Sequence, residues 1–100
     1  MKQEDKDRKL AYLRSQKDNP TGGYRQLLID TYNCISDLTV KSGNQYCRTS
    51  CADICNVVYG NTHHITMVDK YLYTLKQLGY ISIKECQGYT QMEILKKIDF

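Results

Sequence analysis

Apolar residues in the middle of the chain recur at steps of three and four, the spacing of one helix face. The first such stripe predicts a helix over residues 24–38. Its members are Leu27, Leu28, Thr31, Cys34, Ile35 and Leu38. A second stripe predicts a helix over residues 63–78, with Asn61 or Thr62 as its cap. Its members are Ile65, Val68, Leu72 and Leu75.

Two further segments surround the second stripe. Residues 51–59 form a shorter predicted helix, for which Ser50 and Asp53 offer a capping pair. After Gly79, the apolar residues alternate with polar ones, which predicts strands over residues 80–85 and 89–97. Gln87-Gly88 lies between these strands and predicts a hairpin turn, because glycine adopts the dihedral angles that a tight turn requires. With a short strand predicted over residues 45–48, the fold class is α+β.

The N-terminal segment has a different character. Residues 2–17 are predicted to be helical but highly charged, with Leu10 and Leu13 as the apolar residues of one stripe. A cluster of helix breakers over residues 18–23 ends this segment. We therefore predict a charged helical arm over residues 1–18 and a domain over residues 24–100. Two leucines do not stabilise an isolated helix, so we expect a partner subunit or DNA to hold the arm.

The order of helix, turn, helix and hairpin resembles the winged helix-turn-helix family of DNA-binding proteins over about residues 24–97. The stretches that carry the resemblance are residues 50–59, the turn Gly60-Asn61-Thr62, and Leu72-Tyr73-Thr74-Leu75-Lys76-Gln77-Leu78-Gly79-Tyr80-Ile81 with the hairpin after it. The resemblance implies three core helices and a C-terminal β-hairpin wing, preceded by the N-terminal helical arm. It also implies sequence-specific binding to double-stranded DNA, with a homodimer as the expected form.

Small winged helices of this kind also occur on plasmids and phages. The chain is similar to the origin-binding (relaxosome) accessory proteins of clostridial conjugative plasmids. Such a role in conjugation and a role in transcription regulation both stay open.

The resemblance implies that the helix over residues 63–78 is the recognition helix. Its solvent face would comprise His63, Thr66, Met67, Lys70, Tyr73 or Thr74, and Gln77. The hairpin and the preceding strand would add Lys84, Gln87, Gly88, Tyr89, Thr90, Gln91 and Arg48. Lys70 is the single firm cation on the helix face, so we expect the hairpin to contribute at least as much to recognition as the helix.

Composition limits the kinds of partner and the cellular compartment that we expect for the protein. A net charge of +3 is compatible with nucleic-acid binding without requiring it. No apolar run approaches the length that a bilayer requires, and the first residues lack the apolar core of a signal peptide. The five cysteines are therefore expected to be reduced, in a cytoplasmic protein with no membrane partner.

Cys47, Cys51 and Cys55 recur every four residues, with His63 and His64 nearby, which leaves a metal- or thiol-responsive repressor as an alternative. The spacing matches no zinc finger, so we expect core packing, no metal and no cofactor. The histidines and Tyr71 or Tyr73 also permit a nicking enzyme. Adjacent helical histidines point about 100° apart, so we expect no enzyme. A protein-interaction module on the same fold is the remaining alternative.

Overall fold

The computed structural model describes residues 3–18 and 23–100, and within these ranges it contains four α-helices and a three-stranded antiparallel sheet. The helices are α1 (Gln3–Ser15), α2 (Tyr24–Ser42), α3 (Cys51–Tyr59) and α4 (Ile65–Gln77). The strands are β1 (Tyr46–Thr49), β2 (Ile81–Cys86) and β3 (Tyr89–Ile94). A 3-10 turn, Gln16–Asp18, follows α1. The predicted α+β class is confirmed.

The sheet has the order β1-β3-β2, so the last strand of the chain is its centre. Met92 of β3 pairs with Cys47 of β1 on one side and with Ile83 of β2 on the other. Because successive side chains alternate between the two faces of a strand, this row lies on one face of the sheet. Met92 and Cys47 are almost fully buried, so this inner face packs on the helices.

A single hydrophobic core joins the helices to the inner face of the sheet. Ile35 of α2, Ile54 of α3 and Leu75 of α4 are fully buried in it. The predicted apolar stripe of α2 therefore faces the core, although Leu27 and Leu38 are only partly buried. In α4, Val68, Leu72 and Leu75 are buried as predicted. Ile65 is 39% exposed, so its place in the buried stripe was predicted wrongly, because it lies in the first turn of the helix.

Most helix ends follow the predicted chemistry. The Ser50 hydroxyl accepts a hydrogen bond from the Asp53 backbone N–H at 3.2 Å, which confirms the predicted cap of α3. Gly79 has a φ of 86°, as predicted for the residue after the last turn of α4. The predicted cap of α4 is wrong. The Asn61 side chain accepts from the His63 N–H at 2.9 Å, so it shapes the turn before the helix, and α4 begins two residues later than predicted.

Two other boundaries differ by three residues or more. Helix α2 continues to Ser42 and ends at Gly43, one turn beyond the predicted residue 38. Strand β3 ends at Ile94 rather than at residue 97, and the N–H of Leu95 then donates to the Tyr80 carbonyl at 2.9 Å.

Helix α1 docks on its own chain. Leu13 is fully buried, and Leu10 packs against the same core. The backbone N–H of Arg25 in α2 donates to the Gln16 side chain at 3.2 Å just after α1. The chain's own core therefore covers the arm's leucine stripe, and no partner is needed for that. The breaker residues 19–22 lie outside the described residues.

None of the helices over residues 3–18 and 23–100 has the length and apolar character needed to cross a membrane.

Candidate nucleic-acid interface

One side of α4 faces solvent along its length. Thr66, Met67, Lys70 and Tyr73 are exposed, and the opposite side is buried in the core. Thr74 is buried, and its hydroxyl shares a hydrogen bond with the Tyr24 hydroxyl at 2.8 Å. Of the two alternatives left by the sequence, Tyr73 therefore belongs to the solvent face. Gln77, at the end of the helix, is partly buried.

The two histidines precede α4 and have different surroundings. The His64 ring lies 4.4 Å from the Tyr59 ring, centroid to centroid, and is tilted against it. His63 is exposed, and its backbone is held by Asn61. His63 therefore lies just before the exposed side of α4, while the His64 ring packs against Tyr59 of α3.

A groove with a cavity volume of about 500 Å³ runs beside α4, between its exposed side and the inner face of the β2–β3 hairpin; we call it the helix–hairpin groove. Met67 and Lys70 line it from α4, and Thr90 lines it from β3. Two lysines that the sequence analysis did not place in the site line it as well. These are Lys9 of α1 and Lys76 of α4.

The groove also contains acidic groups. Asp69 and Glu85 line it, so three ammonium groups face two carboxylates. Lys76 follows Lys70 by six residues, which places it about 120° around α4 from Lys70, so the helical spacing did not assign it to the same side. The position of Lys9 depends on how α1 docks against α2, and no local pattern specifies that docking.

Four further predicted residues lie on the other face of the sheet; they are Arg48, Lys84, Tyr89 and Gln91. Arg48, Gln91 and Lys84 form one row across β1, β3 and β2. The Arg48 guanidinium carbon lies 4.8 Å from the Tyr89 ring centroid and 5.9 Å from that of Tyr46. We call this the outer sheet face. Its members are Tyr46, Arg48, Ser82, Lys84, Cys86, Tyr89, Gln91 and Glu93.

The predicted DNA-binding residues are thus divided between two surfaces. Met67, Lys70 and Thr90 share the helix–hairpin groove. Arg48, Lys84, Tyr89 and Gln91 belong to the outer sheet face, which points away from α4. Gln87 and Gly88 are exposed at the hairpin tip between the two surfaces. The sequence did not point to Tyr46, whose place on the outer sheet face depends on the register of β1.

Comparisons with protein-family models, curated proteins and solved structures give no match to this chain.

The three regularly spaced cysteines do not converge on one site. Cys47 and Cys55 are buried in the core, and Cys51 is half-buried beside the groove, with its sulfur 3.9 Å from an Asp69 carboxylate oxygen. Burial raises the pKa of the Cys51 thiol, and the Asp69 charge raises it further. Within residues 3–18 and 23–100, no group of three or more His, Cys, Asp or Glu side chains is placed to hold a metal ion.

Tyr71, one of the two tyrosines considered as a nucleophile, is buried under the groove. Its hydroxyl lies 2.7 Å from the Tyr59 hydroxyl. Burial, and after it the hydrogen bond with Tyr59, raises the pKa of Tyr71 well above its ordinary value. The phenol is therefore harder to ionise than that of an ordinary tyrosine, and its hydroxyl is already used in a structural contact.

Proposed function

We propose that this protein is a sequence-specific, double-stranded DNA-binding protein of winged helix-turn-helix architecture, with α4 as its recognition helix. The element order from α2 to β3, the sheet order β1-β3-β2 and a hairpin beside an exposed helix support this architecture. The exposed side of α4 is the observation that carries the proposal. An α-helix fits the major groove of B-DNA, where each base pair presents a distinct pattern of hydrogen-bonding groups.

The side chains of α4 suit such an interface. The Thr66 hydroxyl can donate to or accept from a base edge, and the exposed Met67 side chain can contact a thymine methyl group. Lys70 can contact a phosphate, because its ammonium lies on the same side of the helix. The lysines at positions 9 and 76 add positive charge to the groove beside α4.

A dimer would strengthen this contact. The exposed side of one 13-residue helix spans a single half-site, and a two-fold protein reads two half-sites one helical turn apart. We therefore propose a homodimer. Its biological role would be that of an origin-binding accessory factor of a plasmid or mobile element, or of a transcriptional regulator.

The test is selection of DNA fragments. Purified protein is incubated with the sheared DNA of its source replicon, and the retained fragments are sequenced. We expect a few fragments to be enriched. Enrichment beside a transfer or replication origin identifies an accessory factor, and enrichment upstream of genes identifies a regulator. Uniform retention of all fragments, or retention of none, contradicts sequence-specific binding.

Variants test whether α4 is the reading element. Thr66→Ala with Lys70→Ala should abolish the enrichment, whereas Lys17→Ala should preserve it. Lys17 is an exposed lysine in the 3-10 turn after α1 and does not line the groove. Equal losses in both proteins would mean that general positive charge, and not the α4 surface, retains the DNA.

A further inference from the structure

We propose that the outer sheet face is a second nucleic-acid site, and that it binds unpaired nucleotides. The site is formed by Arg48, Lys84, Gln91 and the two tyrosines Tyr46 and Tyr89. It is separate from α4 and does not depend on duplex binding there. Its ligand is a single-stranded segment whose bases stack on the aromatic and guanidinium planes and whose phosphates contact the cations.

The stacking surface is already arranged. Arg48 lies over the Tyr89 ring at 4.8 Å and within 5.9 Å of the Tyr46 ring, so three planar groups stand together on one face. Tyr89 is still 39% exposed, and Arg48 is exposed. Aromatic rings and arginine planes are the groups on which unstacked bases lie in complexes with single strands.

The cations are placed for a phosphate backbone. Arg48 and Lys84 pair with the same residue, Gln91, from opposite sides. Neighbouring strands lie about 4.8 Å apart, so the two side chains arise about 10 Å apart across the sheet. Gln91 stands between them with an amide that can donate to and accept from a base edge. Glu93 occupies the next row, which confines the positive charge to the half of the face nearer the hairpin tip.

The shape of the surface favours unpaired nucleotides over a duplex. The major groove of B-DNA admits a helix or a two-stranded ribbon, and this face is three strands wide. The bases of a duplex are stacked on one another, so tyrosine side chains that stand on the face of a sheet cannot reach their planes. In a single strand, the bases are free to stack on such side chains.

The outer sheet face lies away from α4, so the protein can bind a duplex and a single strand at the same time. The groove beside α4 is lined by the inner face of the hairpin, through Ile83 and Thr90. The outer sheet face is the opposite side of that same sheet. A duplex on α4 and an unpaired strand on the sheet would therefore contact different surfaces of one molecule.

The experiment measures binding of fluorescein-labelled oligonucleotides by anisotropy at low salt. The single-stranded probes are a thymidine 12-mer and a uridine 12-mer, which share phosphates and flat bases and differ in the sugar. The duplex probe is a mixed-sequence 20-mer. Because the chain contains nine tyrosines and no tryptophan, quenching of tyrosine fluorescence reports stacking independently.

We expect the protein to bind at least one of the two single strands with quenching of tyrosine fluorescence, and the stronger of the two identifies the source of the ligand. Tyr89→Leu should weaken that binding about tenfold, the effect of losing one stacked base. Arg48→Gln should weaken it as well. Lys17→Gln removes one exposed charge elsewhere and should leave it unchanged. A melting curve of each variant confirms that it is folded.

Three results would overturn the proposal. The first is that neither single strand binds. The second is that Lys17→Gln weakens binding as much as Arg48→Gln, which would show general charge attraction. The third is that the duplex displaces the single strand in simple competition, which would place both ligands on one surface. Failure of the mixed-sequence duplex alone to bind would leave this proposal standing, and the function proposed for α4 is tested separately by the fragment selection.

Discussion

The hydroxyls of Tyr59 and Tyr71 form a hydrogen bond between α3 and α4, and burial makes the Tyr71 phenol difficult to ionise. An unfolded tyrosine ionises near pH 10, whereas folded Tyr71 stays neutral at that pH. Above about pH 10, the unfolded state therefore binds fewer protons than the native state, and stability falls as pH rises. Below that pH, this contribution to stability is fully present.

This difference predicts the pH dependence of a variant. The free energy of unfolding of the unmodified protein should decline between pH 10 and pH 12. In Tyr71→Phe, the decline should be shallower by up to about 1.4 kcal/mol per pH unit, because one ionisable group is gone. Urea unfolding at a series of pH values measures both slopes.

Tyr73→Phe is the matched control, because Tyr73 lies on the same helix and is exposed. Its slope should equal that of the unmodified protein. Part of the decline should remain in Tyr71→Phe, since burial, followed by the hydrogen bond to Asp99, also raises the pKa of Tyr80. Identical slopes for Tyr71→Phe and Tyr73→Phe would show that the buried pair does not control the alkaline transition.

At the scale of elements, helix α1 is held by very few contacts. Leu13 is its one fully buried side chain over the described part of the helix, and it enters the core. Leu13→Ala removes most of that side chain and leaves a cavity, so we expect a loss of about 2–5 kcal/mol in the free energy of unfolding. Tyr12→Ala changes a neighbour that is 54% exposed and should cost much less. Chemical denaturation of the two variants measures the difference.

If Leu13→Ala and Tyr12→Ala have equal stability, α1 is an arm that is not integrated with the core of the monomer. A loss in the predicted range would instead make α1 part of the folding unit, together with α2 to β3.

The sequence predicted the elements with local signals and missed those that depend on distant contacts. Ser50, Gly79 and Gly88 specify ends and turns through their own side chains or dihedral angles, and the structure has them as predicted. The start of α4 was placed wrongly because Asn61 and Thr62 both resemble caps, and only the folded turn determines which group the Asn61 side chain contacts.

The sequence could predict which single residues of the candidate site are exposed, but it could not predict which of them share a surface. Exposure of Lys70 follows from the helical spacing, which also places Thr66 on its side of α4. The separation of Arg48 from Lys70 depends on the pairing of β1 with β3, a contact between residues more than 40 positions apart. No periodicity within either segment contains that information. The residues of two different surfaces were therefore predicted as one DNA-binding site.

At the scale of the whole molecule, charge determines how duplex binding should respond to salt. If each subunit neutralises about three to four phosphates, a dimer should show a log–log slope of affinity against salt near −6. Anisotropy titrations of a selected fragment over a series of salt concentrations measure this slope. Lys70→Gln should reduce its magnitude by about 2 for a dimer, because one phosphate contact per subunit is lost.

Lys17→Gln is again the comparison and should keep the slope of the unmodified protein. A response that is flat in salt would exclude phosphate contacts as the main source of affinity and would contradict the proposed DNA-binding function.

The five cysteines differ in burial, so the rate at which each thiol is labelled can measure opening of the hydrophobic core. Cys34, Cys47 and Cys55 are buried, whereas Cys51 and Cys86 are partly accessible. Under native conditions, an alkylating reagent should add two labels early, at Cys51 and Cys86. Burial and the Asp69 charge raise the pKa of the Cys51 thiol, which slows its labelling. The other three thiols should be labelled only during excursions that open the core. Intact-mass spectrometry would then show species with two and five labels if the core opens as one unit, and species with three or four labels if it opens in parts.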